Sequence, residues 1–137
     1  MATARFTLVA LLAVTAVACT TVTECDCIAP TAFVHGTVSG ASAPVNVEVR
    51  MAPGDCSGGS VPSGSVNQGR ADANGVYEVV LYLNKTGPTC LVVTAQTLDL
   101  PLAAVTKRVA VTLQPFDAAS PQRIRVDLAL GTTSGSP

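Results

Sequence analysis

Between Phe33 and Leu130 apolar and polar residues alternate with a period of two, the pattern of β-strands that bury one face. Val45-Asn46-Val47-Glu48-Val49-Arg50 sets three valines against three polar residues. Phe33 to Ser39 places Val34, Gly36 and Val38 on one face, with His35 and Thr37 on the other. Tyr77, Val79 and Leu81 share a face, as do Leu91, Val93 and Ala95, and then Val109, Val111 and Leu113. The last run turns Ile124, Val126, Leu128 and Leu130 inward against Arg123, Arg125 and Asp127. A shorter, weaker strand over Val66 to Ala71 brings the expected number to seven.

Glycine and proline fall between these runs, at Gly40 to Pro44, Pro53-Gly54, Gly87-Pro88, Pro101, Pro115 and Pro121. The sharpest turn signal is Asp72-Ala73-Asn74-Gly75, where an Asn-Gly pair supplies the positive φ values of a tight hairpin and Asp72 caps its own backbone. No segment after the leader reads as a helix; the nearest, Leu98 to Val105, has Pro101 in its middle. One-sided alternation suits antiparallel sheets packed face to face, because parallel sheets covered on both sides read as continuous apolar runs. The expected fold is all-β, a seven-stranded antiparallel β-sandwich of about 100 residues, a size that buries enough apolar surface to fold alone.

The first residues follow a different pattern. Arg5 is the single charge before the apolar run Phe6 to Val14, and Ala16-Val17-Ala18 precedes Cys19. Residues 1–18 read as a secretory signal peptide, the run being short for a membrane span of about 20 residues. Ala16-Val17-Ala18 fits ordinary small-x-small cleavage, which would release a secreted soluble protein. Ala-Val-Ala-Cys also resembles the bacterial lipobox, with Ala16 where Leu is usual. The five cysteines, Cys19, Cys25, Cys27, Cys56 and Cys90, favour the lipobox: lipidation of Cys19 leaves four, an even number suited to an oxidising compartment. Several acyl chains, each buried CH₂ worth about 0.8 kcal/mol, would then anchor the chain to a membrane. Residues 19–32 are the lipidated cysteine and a flexible tether, 33–131 the sandwich, and 132–137 a disordered tail. Thr20 behind Cys19, with no Asp there, fits sorting to the outer rather than the inner membrane of a bacterial envelope.

Cys56 and Cys90 are the favoured disulfide, which would pin the Gly/Ser-rich loop between Ala52 and Gly69 to the sheet. Cys25 and Cys27 would then pair across one residue, or both would cross to Cys56 and Cys90; the sequence excludes none of the three connectivities. The same four cysteines as a zinc site are disfavoured, since structural zinc ligands are usually spaced by two to four residues. Asp72-Ala73-Asn74-Gly75 lacks the distal Glu of a calcium loop. No metal or other cofactor is expected. With a net charge of −1 and no cluster of Lys or Arg, nucleic acid is not an expected partner either.

Enzyme chemistry finds little to use. His35 is the single histidine, on the outer face of the first strand, and Ser57-Gly58-Gly59-Ser60 lacks the elbow that exposes a nucleophilic serine. Glu48 and Glu78 would be a catalytic carboxylate pair only if their strands were adjacent, and plain surface is the better reading of both. Asn84-Lys85-Thr86 is a glycosylation sequon that matters only in a eukaryotic source.

The order of features resembles one family. Val34-His35-Gly36-Thr37-Val38, then Ala43-Pro44 leading the alternating Val45 to Val49, then Arg70-Ala71-Asp72-Ala73-Asn74-Gly75-Val76-Tyr77, and a final Arg125-Val126-Asp127-Leu128 are similar to the carboxypeptidase regulatory-like domain over about Phe33 to Leu130. That resemblance implies a transthyretin-like (prealbumin-like) sandwich, grouped with Ig-like folds, in which Gly36, Asp72, Asn74, Gly75 and Tyr77 are fold residues. It also implies a non-catalytic module of the kind appended to peptidases and outer-membrane receptors or carried on small envelope lipoproteins. The long loop from Ala52 to Gly69 and its Cys56 depart from the family pattern. The expected function is therefore structural or protein-interacting, with an envelope protein as partner. The alternative is carbohydrate or small-ligand binding, for which Tyr82 and Phe116 are the available aromatic platforms.

Overall fold

A computed structural model describes residues 30–41, 43–57, 64–82, 86–99 and 102–131. The leader, Cys19, Cys25, Cys27 and the tail after Gly131 lie outside the described residues. Eight strands follow in order: β1 (Pro30–Ser39), β2 (Val45–Pro53), β3 (Asn67–Arg70), β4 (Val76–Tyr82), β5 (Gly87–Thr97), β6 (Ala104–Leu113), β7 (Gln122–Arg125) and β8 (Leu128–Ala129). They form two sheets. One runs β4-β1-β7, with β8 continuing the line of β7 along β1; the other runs β3-β2-β5-β6. No described residue is helical.

The period-two faces meet between the sheets. Val34, Val47, Val49, Leu81, Leu91, Val93 and Ala95 are fully excluded from solvent, with Tyr77, Val79, Ile124, Val126, Leu128 and Leu130 packed among them. Each Val, Leu and Ile among them gains about 1.5–3 kcal/mol by leaving water, which makes the facing of the strands a strongly specified property.

Four features differ from the sequence expectation, each for a physical reason. The seventh strand is split, because the chain leaves regular pairing at Val126 and Asp127, between β7 and β8, where the Asp127 side chain takes the Thr37 amide. The sheets are not purely antiparallel, since β7 and β8 both pair with β1 in parallel. Ordered strand begins at Pro30, three residues before the expected boundary, because β4 reaches far enough to pair with it. Gly87-Pro88 is strand rather than punctuation: β2 ends at the pair Pro53↔Thr89, so the missing N–H of Pro88 falls past the last rung on that side.

Strand direction sorts the connections. The β1–β2, β3–β4 and β5–β6 turns and Leu130 lie at one end of the sandwich. Pro30 and the β2–β3, β4–β5 and β6–β7 connections lie at the other. A ten-residue β1 separates the two ends by about 30 Å.

Candidate functional site

Three of the sequence motifs converge on a single knot. At the break between β7 and β8, Val126 N–H donates to the His35 carbonyl and the Val126 carbonyl turns inward. A Cβ on Gly36 would lie 2.1 Å from that oxygen, so only glycine admits it. The buried oxygen accepts the Tyr77 hydroxyl of β4, which satisfies a group that would otherwise be costly to bury. Asp127 completes the knot from outside: its Oδ1 accepts the Thr37 N–H at 3.0 Å and the Thr37 hydroxyl at 3.1 Å, in place of the missing rung, while Oδ2 accepts Arg125 Nε at 2.9 Å. The Thr37 amide, then Arg125, hold the Asp127 carboxyl below the usual carboxylate range. Burial, reinforced by the nearby Asp127 charge, pushes the Tyr77 phenol up to about 12.

The Asp72 turn is built differently from the Asn-Gly hairpin that the sequence predicts. Gly75 N–H donates to the Asp72 carbonyl and Asp72 N–H to the Val76 carbonyl, while Gly75 alone within the turn has positive φ, +77°. This is a type I turn closed by a left-handed glycine, with Asp72 at its first position. Asp72 Oδ1 accepts the N–H groups of Asn74 and Val76, both at 2.9 Å. The flanking strands do not pair: β3 joins β2 and β4 joins β1, so the turn carries the chain from one sheet to the other. The Gly75 carbonyl accepts the Val38 N–H, and a Cβ on Gly75 would meet the Val38 oxygen at 2.3 Å. Between this turn and the β1–β2 turn opens a cleft of about 570 Å³, lined by Val38, Ser39, Pro44, Val45, Asp72 and Asn74 among others.

Cys56 and Cys90 are joined by a disulfide, with Cα atoms 4.9 Å apart. Cys90 and Val92 point away from the main core, yet both are buried, because the chain after β2 folds over them and forms a small second cluster with Ala52 and Cys56. Cys56 sits at φ 70°, and Asp55 accepts the Ser57 hydroxyl and then its amide, which hold its carboxyl below the usual range. Simple alternation marks Leu91, Val93 and Ala95 as the buried face of β5 and so misses this outer cover. The two cysteines were its signal.

The remaining candidates are dispersed. Glu48 and Glu78 are not on adjacent strands: β2 and β4 belong to opposite sheets. Glu48 accepts Gln68 at 2.9 Å and pairs with Arg50 at 3.5 Å, while Glu78 pairs with Arg123, whose guanidinium lies 5.6 Å from the centre of the Phe33 ring. His35 stands in register between Glu78 and Arg125 on the outer face. Tyr82 is half exposed and Phe116 exposed, on different elements. Among the described residues no three His, Cys, Asp or Glu side chains gather as metal ligands, and no helix is long and apolar enough to cross a membrane. Gln122 escaped the sequence reading, and Asp127 entered it as an outward residue of the last strand and its motif, without its bonds to Thr37. Both are polar residues on an alternating strand, and nothing local distinguishes them from ordinary surface.

Fold and site together define an all-β, two-sheet sandwich whose distinctive polar residues bind its own backbone. Compared with protein-family models, curated proteins and solved structures, the chain matches none.

Proposed function

We propose that the protein is a non-catalytic module of a bacterial cell envelope, anchored through a lipid on Cys19 and serving a structural or protein-interaction role. The observation that carries this reading is the use made of the chemically distinctive side chains. Asp72, Tyr77 and Asp127 are each bonded to backbone groups of the fold, so what the domain offers outward is strand edges and sheet faces. The strand order supports a prealbumin-like rather than Ig-like sandwich. In an Ig constant domain the first strand shares a sheet with the second, whereas here it lies between the fourth and seventh. The tether would join at the Pro30 end, and the cleft beside Asp72 is at the other, which faces away from an anchoring membrane. Edges and faces of this kind bind extended segments or flat partner surfaces.

Globomycin, which blocks lipoprotein signal peptidase, should cause an unprocessed precursor to accumulate; normal processing in its presence would refute the anchor. Photo-cross-linking in intact cells from Tyr82 and Asn74 should recover one consistent envelope partner, and recovery of monomer alone would refute the interaction role.

A further inference from the structure

The two sheets are unequal, and the inequality leaves one flank of the sandwich unfinished. The β3-β2-β5-β6 sheet is four strands wide, whereas the facing sheet has three positions, β4, β1 and β7–β8. β6 therefore overhangs. The inward residues of β5 are completely buried, but Val105, Val109 and Val111 on the same face of β6 are only partly so. The edge of β6 is also open. Thr97 N–H donates to the Ala103 carbonyl, so odd-numbered residues of β6 direct their backbone polar groups toward β5 and even-numbered ones direct theirs outward. Thr106, Arg108 and Ala110 thus present N–H and C=O groups that no described residue engages on that side.

One end of this flank is plugged by a side chain. Gln122 donates its Nε2–H to the Thr112 carbonyl at 2.9 Å and accepts the Gln114 N–H at 3.0 Å, so one carboxamide stands in for a neighbouring peptide. Midway along β6, Lys107 Nζ reaches across to the Asp127 carbonyl at 3.4 Å. The charge is one-sided: β6 carries Lys107 and Arg108 and no carboxylate, and no described side chain pairs with Arg108. A second copy laid antiparallel on this edge would bring those cations against their equivalents, the usual device by which edge strands avoid self-pairing.

Resting on the interaction role proposed above, we infer that the β6 edge accepts an extended segment of a partner protein by strand addition. The segment that fits carries apolar residues at alternate positions, to cover Val105, Val109 and Val111, and acidic residues between them, to face Arg108. Backbone pairing supplies affinity and the charge supplies selectivity.

The test uses the full chain and a capped peptide, Thr-Val-Glu-Val-Glu-Val-Thr, with its Glu-to-Lys counterpart. The acidic peptide should bind and slow hydrogen exchange at the amides of Thr106, Arg108 and Ala110. Binding should weaken by about tenfold or more for the Lys peptide and for Arg108→Glu, since like charges placed together oppose association. Ala110→Pro, which deletes an outward N–H at a position where an edge tolerates proline, should abolish it. A peptide N-methylated on its pairing edge should fail equally, so the test survives if the proline variant does not fold. Equal binding of both peptides, no binding, or binding that persists in Ala110→Pro or with the N-methylated peptide overturns the inference. So does a sedimenting dimer that Ala110→Pro dissociates, which would assign the edge to a second copy. Failure here together with a partner cross-linked from Tyr82 or Asn74 removes the β6 site and leaves the interaction role standing.

Discussion

Tyr77 and Gly36 come from separate motifs and serve one carbonyl, so their substitutions separate two costs. Tyr77→Phe keeps the ring and strands the Val126 oxygen, which should lower stability by about 1–3 kcal/mol in urea denaturation. The same residue sets an alkaline limb. The folded phenol ionises near 12 and the unfolded one near 10, so the native state holds its proton more tightly. Its contribution is complete below pH 10 and is lost as pH rises through about 12, and that limb should be missing from Tyr77→Phe. Gly36→Ala places a methyl into backbone and should cost about 3 kcal/mol or more, while Gly131→Ala, with open space around it, should be near neutral in the same titration. Glycine, tyrosine and the Arg125-Val126-Asp127 run are visible in the chain; that they meet at one oxygen is not, because Gly36 and Val126 are brought together only by parallel pairing of distant strands.

At the scale of elements, the disulfide acts on the segment after β2. Cys56 and Cys90 are 34 residues apart, and closing such a loop restricts the unfolded chain by about 4 kcal/mol on the chain-entropy estimate. Replacing both by Ala should lower the urea midpoint accordingly and expose Val92, with proteolysis beginning between Pro53 and Asn67. Cleavage elsewhere first would show that the loop is held by something other than the bond. The β3–β4 turn makes a complementary point. Its residues specify a reversal and a capping Asp, and the chain obeys both, yet the strands leaving the turn go to different sheets. A turn sets local direction, and the partner each strand chooses depends on which apolar face it must cover.

For the whole molecule, the defining contacts are non-local. β1 pairs with β4, β7 and β8, so the first sheet cannot close until the last strands are in place. Loop-closure entropy must be met before those pairings contribute, and refolding of the disulfide-intact domain should fall in the millisecond-to-second range by stopped-flow fluorescence. A microsecond phase carrying the full amplitude would contradict the topology. The same connectivity explains the open flank: with the last strand broken at Val126 and Asp127 and no fourth described position beside it, β6 keeps a partly covered inner face and an edge that no described strand pairs.

Alternation determined the all-β class, the inward residues of every main strand and the punctuation between most of them, because burial on a pleated strand is a property of neighbours two residues apart. The Asp72 to Tyr77 motif likewise determined that the chain turns there and that Tyr77 points inward. Tertiary structure decided what period cannot encode: the parallel pairing of first and last strands, the burial of Cys90 and Val92 on the outer face, the separation of Glu48 from Glu78, and the open edge at β6. Each depends on which segment lies alongside another across tens of residues. That choice is made by the competition of whole faces for cover, and no local stretch of sequence carries it.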